Sequence, residues 1–194
     1  MIAFLKGNFV RKTPALVHVD VNGVGYELHI SLNTYSSIAG MENGLLHTYF
    51  HVREDAQILY GFFDEAEKEM FIHLISVSGV GAATARMMLS SMKPAEVAKA
   101  ISHGETKVLE SIKGIGRKSA ERIVLELRDK VGKSTIESNN DTLKNNSLDV
   151  DALNALIALG INRSAGEQAI GKVRKSSPEL HKIEDIIKQA LKNI

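Results

Sequence analysis

The chain has 194 residues, enough for one large domain or two to three small ones, and 44% of them are hydrophobic, as in ordinary globular cores. Its formal net charge of +1 excludes a strongly basic polyelectrolyte, so any binding of anions has to come from local patches. The absence of Cys excludes a disulfide framework and Cys-ligated zinc, and no apolar run approaches the length of a membrane span, so we expect a soluble protein of the reducing cytoplasm.

The first part of the chain has the pattern of short β-strands. The runs Ala15–Val21 and Tyr26–Leu32 alternate and are rich in β-branched or aromatic residues, and Asn22–Gly25 between them is a strong hairpin signal. A second pair of runs, LLHTYFHV and ILYGFF, brackets the sequence REDAQ. With the opening run MIAFLKGNFV there are about five strands, which predicts a small closed barrel of the OB type over residues 1–63.

The pattern becomes helical at Asp64, which is suited to cap a helix, with acidic residues following it in the first turn. Apolar residues at helical spacing are Met70, Phe71, Leu74 and Ile75. We predict a helical domain over 64–131, a flexible linker over 132–147 because that stretch is polar and lacks an apolar period, and a bundle of three short helices over 148–194.

An internal repeat lies within the helical domain. Residues 74–85 align with residues 109–120 at an offset of 35, and each copy reads helix, Gly-apolar-Gly, helix. Glycine permits backbone angles closed to other residues and lets a ligand approach the main chain, while the apolar residue between pins the helices together. The amides of such a turn and of the helix that follows form an anion site, which a phosphodiester fits without any base being read. The turn residues are Gly79, Val80 and Gly81 in the first copy and Gly114, Ile115 and Gly116 in the second.

Basic side chains are unevenly distributed over the two copies. The second has Lys113, Arg117, Lys118 and Arg122, whereas the first has only Arg86. A lone Gly-x-Gly between helices is most often a tight connection. Two copies, one followed by Arg-Lys, instead predict helix-hairpin-helix binding of duplex DNA that is independent of sequence and sensitive to salt.

The motifs MIAFLKG, VNGVGYE, VREDAQILYGF, SGVGAATA, KGIGRKSAERI and ALIALGI, in this order, resemble the RuvA family over essentially the whole chain. The resemblance implies a non-catalytic subunit without a cofactor or metal, acting in homologous recombination and DNA repair. It also implies a homotetramer, or two tetramers face to face as an octamer, with four-way junction DNA open on its concave surface. The partners it implies are the hexameric RuvB ATPase, which moves the DNA, and the RuvC junction resolvase.

Carried onto this sequence, the resemblance assigns an acidic pin near the crossover to Glu54 and Asp55. It assigns RuvB docking to the C-terminal bundle around Leu156 and Leu159, and DNA binding to the turn residues and basic side chains above. Many relatives place a Lys shortly after the first Gly-apolar-Gly, where this chain has Ala82 and Ala83. We therefore expect backbone contacts to matter more than side-chain contacts at the first copy.

Two enzyme interpretations fail on the residues. The sequence VGKST resembles the end of a phosphate-binding loop but lacks the earlier Gly and the preceding strand, and His47 and His51 lack a third zinc ligand. Two alternatives from other functional classes stay open. One is a structure-specific nuclease or repair subunit that uses the same turns, and the other is a general duplex-binding protein.

Overall fold

The computed structural model describes residues 1–137, 144–177, 179–180 and 182–193, and within 132–137 and 144–147 it describes the backbone alone. The chain divides into two compact units, Met1–Glu137 and Ser138–Ile194. The first unit contains the barrel and the helical domain, and the second contains the C-terminal helices.

The predicted barrel is confirmed. Its strands are β1 (Phe4–Lys12), β2 (Leu16–Val21), β3 (Val24–Ile30), β4 (Asn43–Val52) and β5 (Gln57–Phe62), and they close in the order β1-β2-β3-β5-β4. The predicted hairpin turn joins β2 to β3 with positive φ at Asn22 and Gly23, 52° and 87°, as a tight turn of this kind requires. Alternate strand residues fill the interior, among them Val17, Val19 and Leu28, each 0% exposed.

A short helix, α1 (Leu32–Ile38), lies between β3 and β4, where Sequence analysis places no helix. Ser31 caps it, because the Ser31 hydroxyl accepts from the amide of Thr34 at 3.0 Å. At its other end the Lys12 ammonium donates to the carbonyls of Ala39 and Met41 at 2.9 and 2.6 Å, which satisfies groups that the helix end leaves open. This helix faces the helical domain.

The helical domain consists of α2 (Glu65–Ile75), α3 (Ala82–Ser91), α4 (Pro94–Ser102), α5 (Thr106–Glu110) and α6 (Arg117–Glu137). The first hairpin turn, residues 76–81, joins α2 to α3, and the second hairpin turn, residues 111–116, joins α5 to α6. The helices share one apolar core with the barrel. Phe71 of α2 packs against Tyr49, Tyr60 and Phe62 of the barrel with ring centroids 5.6, 4.9 and 5.0 Å away, so the two parts form one body.

Helices extend into both ends of the stretch that is predicted as a linker. Helix α6 continues through Glu137, and α7 begins at Lys144, so residues 132–137 and 144–147 are helical. Val131 is 3% exposed and anchors α6 in the core, and a helix that is already formed extends by one hydrogen bond per residue in a stretch without proline. Residues 138–143, the remainder of the predicted linker, lie outside the described residues.

The C-terminal unit contains the predicted three helices, α7 (Lys144–Ala158), α8 (Arg163–Ser176) and α9 (Ile183–Lys192). Small residues let α7 and α8 pack closely, since a Cβ at Gly166 would lie 2.9 Å from a methyl group of Leu153. The bundle has its own core, with Ala152, Leu156 and Ile186 at 0% exposure.

Candidate nucleic-acid interface

The internal repeat is a repeat of backbone structure. In the first hairpin turn the amide of Val77 donates to the carbonyl of Leu74 at 3.2 Å, and the amide of Val80 donates to Val77 at 3.0 Å. In the second, the amides of Ile112 and Ile115 make the equivalent bonds, again at 3.2 and 3.0 Å. Val80 and Ile115 are each 5% exposed, so the apolar residue of each turn points into the core as predicted. The chain thus presents the same turn twice.

The two glycines of each turn have different structural roles. Gly79 and Gly114 have φ of 91° and 94°, in the left-handed region that favours glycine over other residues. Gly81 and Gly116 do not, and a Cβ added at either would meet nothing within 4 Å. The fold therefore requires the first glycine of each turn but leaves open space at the second. A glycine facing open space allows a ligand to approach the main chain.

Each turn leads into a helix whose first amides lack partners within that helix. The first helical bond of α3 runs from the amide of Ala85 to Gly81 O at 2.9 Å, and that of α6 from Ala120 to Gly116 O at 3.0 Å. The preceding amides have no acceptor one turn back. Gly81, the residue before α3, makes no side-chain cap. Open amides and the positive end of the helix dipole are the features that bind a phosphate at other helix starts, so phosphate binding at these two turns stays a prediction.

The second hairpin turn adds basic side chains at the start of α6. Arg117, whose side chain is 81% exposed, donates from Nε to Glu121 at 2.9 Å, and Arg122 donates from Nε to Glu126 at 2.7 Å. Lys113 and Lys118 are exposed and have no polar partner among the described residues. Exposed ion pairs between residues four apart on a helix are weak because water and salt screen them, so both arginines can exchange a carboxylate for a phosphate at small cost.

The first hairpin turn has no such cluster. Ala82 is buried, Ala83 is exposed, and Arg86 is directed toward the barrel. The Arg86 guanidinium donates to the carbonyl of Ala15 at 3.2 Å and lies 3.2 Å from Nδ1 of His29. Arg86 is predicted from the sequence to bind DNA. In the structure its side chain contacts the barrel, so its role on DNA stays a prediction.

The acidic tip lies at the end of the β4–β5 ribbon. The amide of Arg53 donates to the carbonyl of Ala56 at 2.8 Å, which closes a tight turn and leaves Glu54 and Asp55 exposed at its apex. Neither acid has an ion-pair or hydrogen-bond partner among the described residues. Beside them, Nε of Arg53 donates to Nε2 of His51 at 2.8 Å. The tip therefore presents two carboxylates without a partner among the described residues, and the neighbouring Arg53 is bonded to His51 of β4.

The structure separates the two leucines predicted for partner docking. Leu156 is 0% exposed in the core of the C-terminal bundle, whereas Leu159 is 63% exposed. Both lie on the apolar part of the sequence ALIALGI, where helical periodicity alone cannot distinguish the last core position from the first exposed one. Leu156 therefore belongs to the core and Leu159 lies on the surface, and the docking role of both leucines stays a prediction.

One buried acid is not predicted from the sequence. Glu67 is one of the acidic residues in the first turn after Asp64, and the structure buries it to 2% exposure. Its carboxylate accepts from the hydroxyls of Ser31 and Thr34, the latter at 2.6 Å, and burial raises the pKa of Glu67 despite these bonds. The signal that could have found it is its spacing of four residues before Phe71, on the face of α2 that points inward.

Metal sites and membrane-spanning helices are considered next for the described residues. Across residues 1–137 and the described C-terminal helices, no group of three or more His, Cys, Asp or Glu side chains could hold a metal ion. His47 lies 3.6 Å from Glu65 rather than beside further ligands. No helix among the described residues is both long and apolar enough to cross a membrane.

Comparison with known proteins agrees with this geometry along the chain. Residues 1–61 match the family described as RuvA N terminal domain, residues 71–129 the SAM-like helix-hairpin-helix tandem, and residues 150–194 the RuvA C-terminal domain. Three relatives carry the name Holliday junction branch migration complex subunit RuvA. The protein of Cytophaga hutchinsonii is 43% identical over 99% of both chains, that of Christiangramia forsetii 44% over 100% of both, and that of Flavobacterium psychrophilum 42% over 100% of both.

Proposed function

The chain belongs to the RuvA family, and on that premise we propose that it is a subunit of a Holliday junction branch migration complex. In this role it binds four-way junction DNA and holds it open without catalysing a reaction of its own. A separate ATPase, RuvB, supplies the motion.

The observation that carries this proposal is the repeated hairpin turn. Gly81 and Gly116 face open space in a conformation that does not require glycine, and each precedes a helix start with open amides. Two such sites in one compact unit suit the two phosphate backbones of a duplex arm. Because amides and flexible basic side chains contact phosphates rather than base edges, the binding is independent of sequence and weakens as salt rises.

The acidic tip gives the surface its preference for a junction. Glu54 and Asp55 are exposed and unpaired, and negative charge cannot strengthen binding to phosphates. In a tetramer four tips contribute eight carboxylates around the crossover. There they repel a duplex that lies across the centre and keep the strands of a four-way junction apart.

The C-terminal unit recruits the motor. It has its own core and exposes Leu159, which suits docking of RuvB to a module separate from the DNA-binding unit. We place the chain in a homotetramer, with an octamer formed by two tetramers on DNA, and assign it RuvC as a further partner.

The test compares binding of the full chain to a synthetic four-way junction and to a linear duplex of the same length, measured by fluorescence anisotropy over a range of salt concentrations. We expect the junction to bind more tightly at moderate salt. Equal affinities would refute the junction assignment and favour a general duplex-binding protein, and clean incision of the junction with Mg²⁺ would favour a nuclease.

A charge-reversed variant tests the surface itself. Arg117→Glu with Lys118→Glu should weaken binding and flatten its salt dependence, because two phosphate contacts per subunit are lost. The matched control reverses two exposed basic residues elsewhere in the same unit, Lys99→Glu with Lys130→Glu. An unchanged salt slope in the first variant would remove Arg117 and Lys118 from the interface.

A further inference from the structure

The first hairpin turn has to bind phosphate almost entirely through its backbone. Ala82 and Ala83 follow it, and the nearest basic side chain, Arg86, is engaged with the barrel. A flexible lysine can follow a displaced phosphate, but an amide fixed in a turn cannot. The contribution of this turn therefore depends on where the flanking helices, α2 and α3, hold it.

Helix α1 of the barrel contacts both of those helices. On one side the Glu67 carboxylate of α2 accepts from Ser31 and Thr34 at the start of α1. On the other side the amide group of Asn33 donates to the carbonyls of Leu89 and Met92, at 2.5 and 3.0 Å, at the end of α3. The helix that enters the first hairpin turn and the helix that leaves it are thus both bonded to one element of the barrel.

The hydroxyls that face Glu67 are oriented as donors. Ser31 Oγ already accepts from the amide of Thr34, and Thr34 Oγ1 accepts from the amide of Phe63, each at 3.0 Å. Each hydroxyl is left with its hydrogen to give, so the site is built for a group that accepts twice. A carboxylate meets that requirement, and a buried carboxylate that lost these donors would be left unsatisfied.

Apolar packing between the barrel and the helical domain is less directional than these hydrogen bonds. Phe71 of α2 contacts several aromatic rings of the barrel and could slide against them, because burial of apolar area depends little on angle. The strands β4 and β5, which carry the acidic tip, contribute these rings. The directional contacts between the barrel and the two helices are the hydrogen bonds to α1 and the contact of Arg86 with Ala15. Of these, only the bonds to α1 hold both α2 and α3, so we assign to them the angle between the acidic tip and the first hairpin turn.

We propose that Glu67 and Asn33 are positioning residues that hold the first hairpin turn at a fixed place relative to the acidic tip, and that this spacing gives the protein its selectivity for junctions over linear duplex. The inference rests on the proposed function. Under this proposal, selectivity for junctions depends on buried hydrogen bonds between the barrel and the helical domain, and these bonds do not contact DNA.

The test uses two readouts on the full chain. Because the sequence has no Cys, spin labels at Val24→Cys in the barrel and Ala95→Cys in α4 report one distance, once labelled subunits are diluted with unlabelled ones. The second readout is the ratio of junction to duplex affinity. The variants are Glu67→Ala, Glu67→Gln and Asn33→Ala, and the matched control is Glu69→Gln, an exposed acid on the same helix.

We expect Glu67→Ala and Asn33→Ala to broaden the distance distribution and to lower the affinity ratio by about tenfold, the scale of one or two lost hydrogen bonds. Duplex affinity should change by less, since the second hairpin turn is intact. Glu67→Gln should fall between Glu67→Ala and the parent chain, and Glu69→Gln should match the parent.

A fall in melting temperature with an unchanged affinity ratio would overturn the proposal, because it would show a merely structural role. Unchanged distances in Asn33→Ala would also overturn it, and this variant keeps the proposal testable should Glu67→Ala fail to fold. Failure of the proposed function would look different. The parent chain would then bind junction and duplex equally, while the distance measurement would still decide the positioning role.

Discussion

Replacing Gly116 by alanine separates the needs of the fold from those of the ligand. Its backbone lies outside the left-handed region, and the new Cβ would meet nothing within 4 Å. Removing a glycine where alanine fits stabilises a protein by about 0.4–1 kcal/mol, since the unfolded chain loses freedom. We therefore expect Gly116→Ala to melt at the same temperature as the parent or slightly higher.

The affinity of Gly116→Ala for DNA should fall. The methyl group would stand where a phosphate approaches the open amides of α6, so at least one charge-assisted hydrogen bond is lost. Such bonds contribute about 1.5–3 kcal/mol, which corresponds to a loss of affinity of about 10- to 100-fold. Gly114→Ala differs because its φ of 94° is strained for alanine, and it should lose about 1–3 kcal/mol of stability.

The assay measures the thermal melting of each variant and its affinity for a four-way junction at two salt concentrations. Gly171→Ala, a helical glycine of the C-terminal unit whose Cβ would also meet nothing within 4 Å, is the matched control and should leave binding unchanged. Gly116→Ala that binds like the parent would refute the reasoning, because open space at that glycine would then serve no ligand. Loss of both stability and binding would also contradict it.

Two further predictions concern charge. Neutralising the tip with Glu54→Gln and Asp55→Asn should tighten DNA binding and reduce the preference for a junction over duplex, because repulsion at the crossover is removed. Equal selectivity in parent and variant would show that the tip is an ordinary turn without a role in selectivity. Burial and the nearby Arg86 lower the pKa of His29, so the folded state binds its proton less readily than the unfolded state does. The stability that His29 contributes is therefore present above about pH 6.5 and is lost as the pH falls below that value. Denaturant titrations should show that the free energy of unfolding declines less below about pH 6.5 in His29→Gln than in the parent. An identical decline in the two proteins would show that His29 does not cause it.

Much of the first unit could be predicted because its signals are local. Strand alternation and the Asn22-Gly23 turn define the barrel, and the Gly-apolar-Gly repeat defines both hairpin turns with their buried residues Val80 and Ile115. In each case the residues that specify the structure lie within a few positions of one another. The barrel, the tandem turns and the three C-terminal helices are confirmed for that reason.

The remainder depends on contacts between distant parts of the sequence. Helix α1 is held by Lys12 and by Glu67, which lie 27 and 33 residues from the ends that they bind, at Ala39 and Thr34. Arg86 turns to the barrel because Ala15 and His29 are close to it in space and not in sequence. No periodicity in a single sequence reports such pairs.

The closed barrel has a consequence for crowding. Within residues 1–63 the strands close into a barrel through the parallel pairing of β3 with β5 at His29–Tyr60 and Ile30–Gly61, which shortens the free edges of the sheet. A free edge is a template on which another chain can add a strand, and the copies in the proposed tetramer would meet at high effective concentration. In that tetramer, closure would keep neighbouring barrels from joining into a common sheet, so that side-chain surfaces would have to supply the contacts between copies.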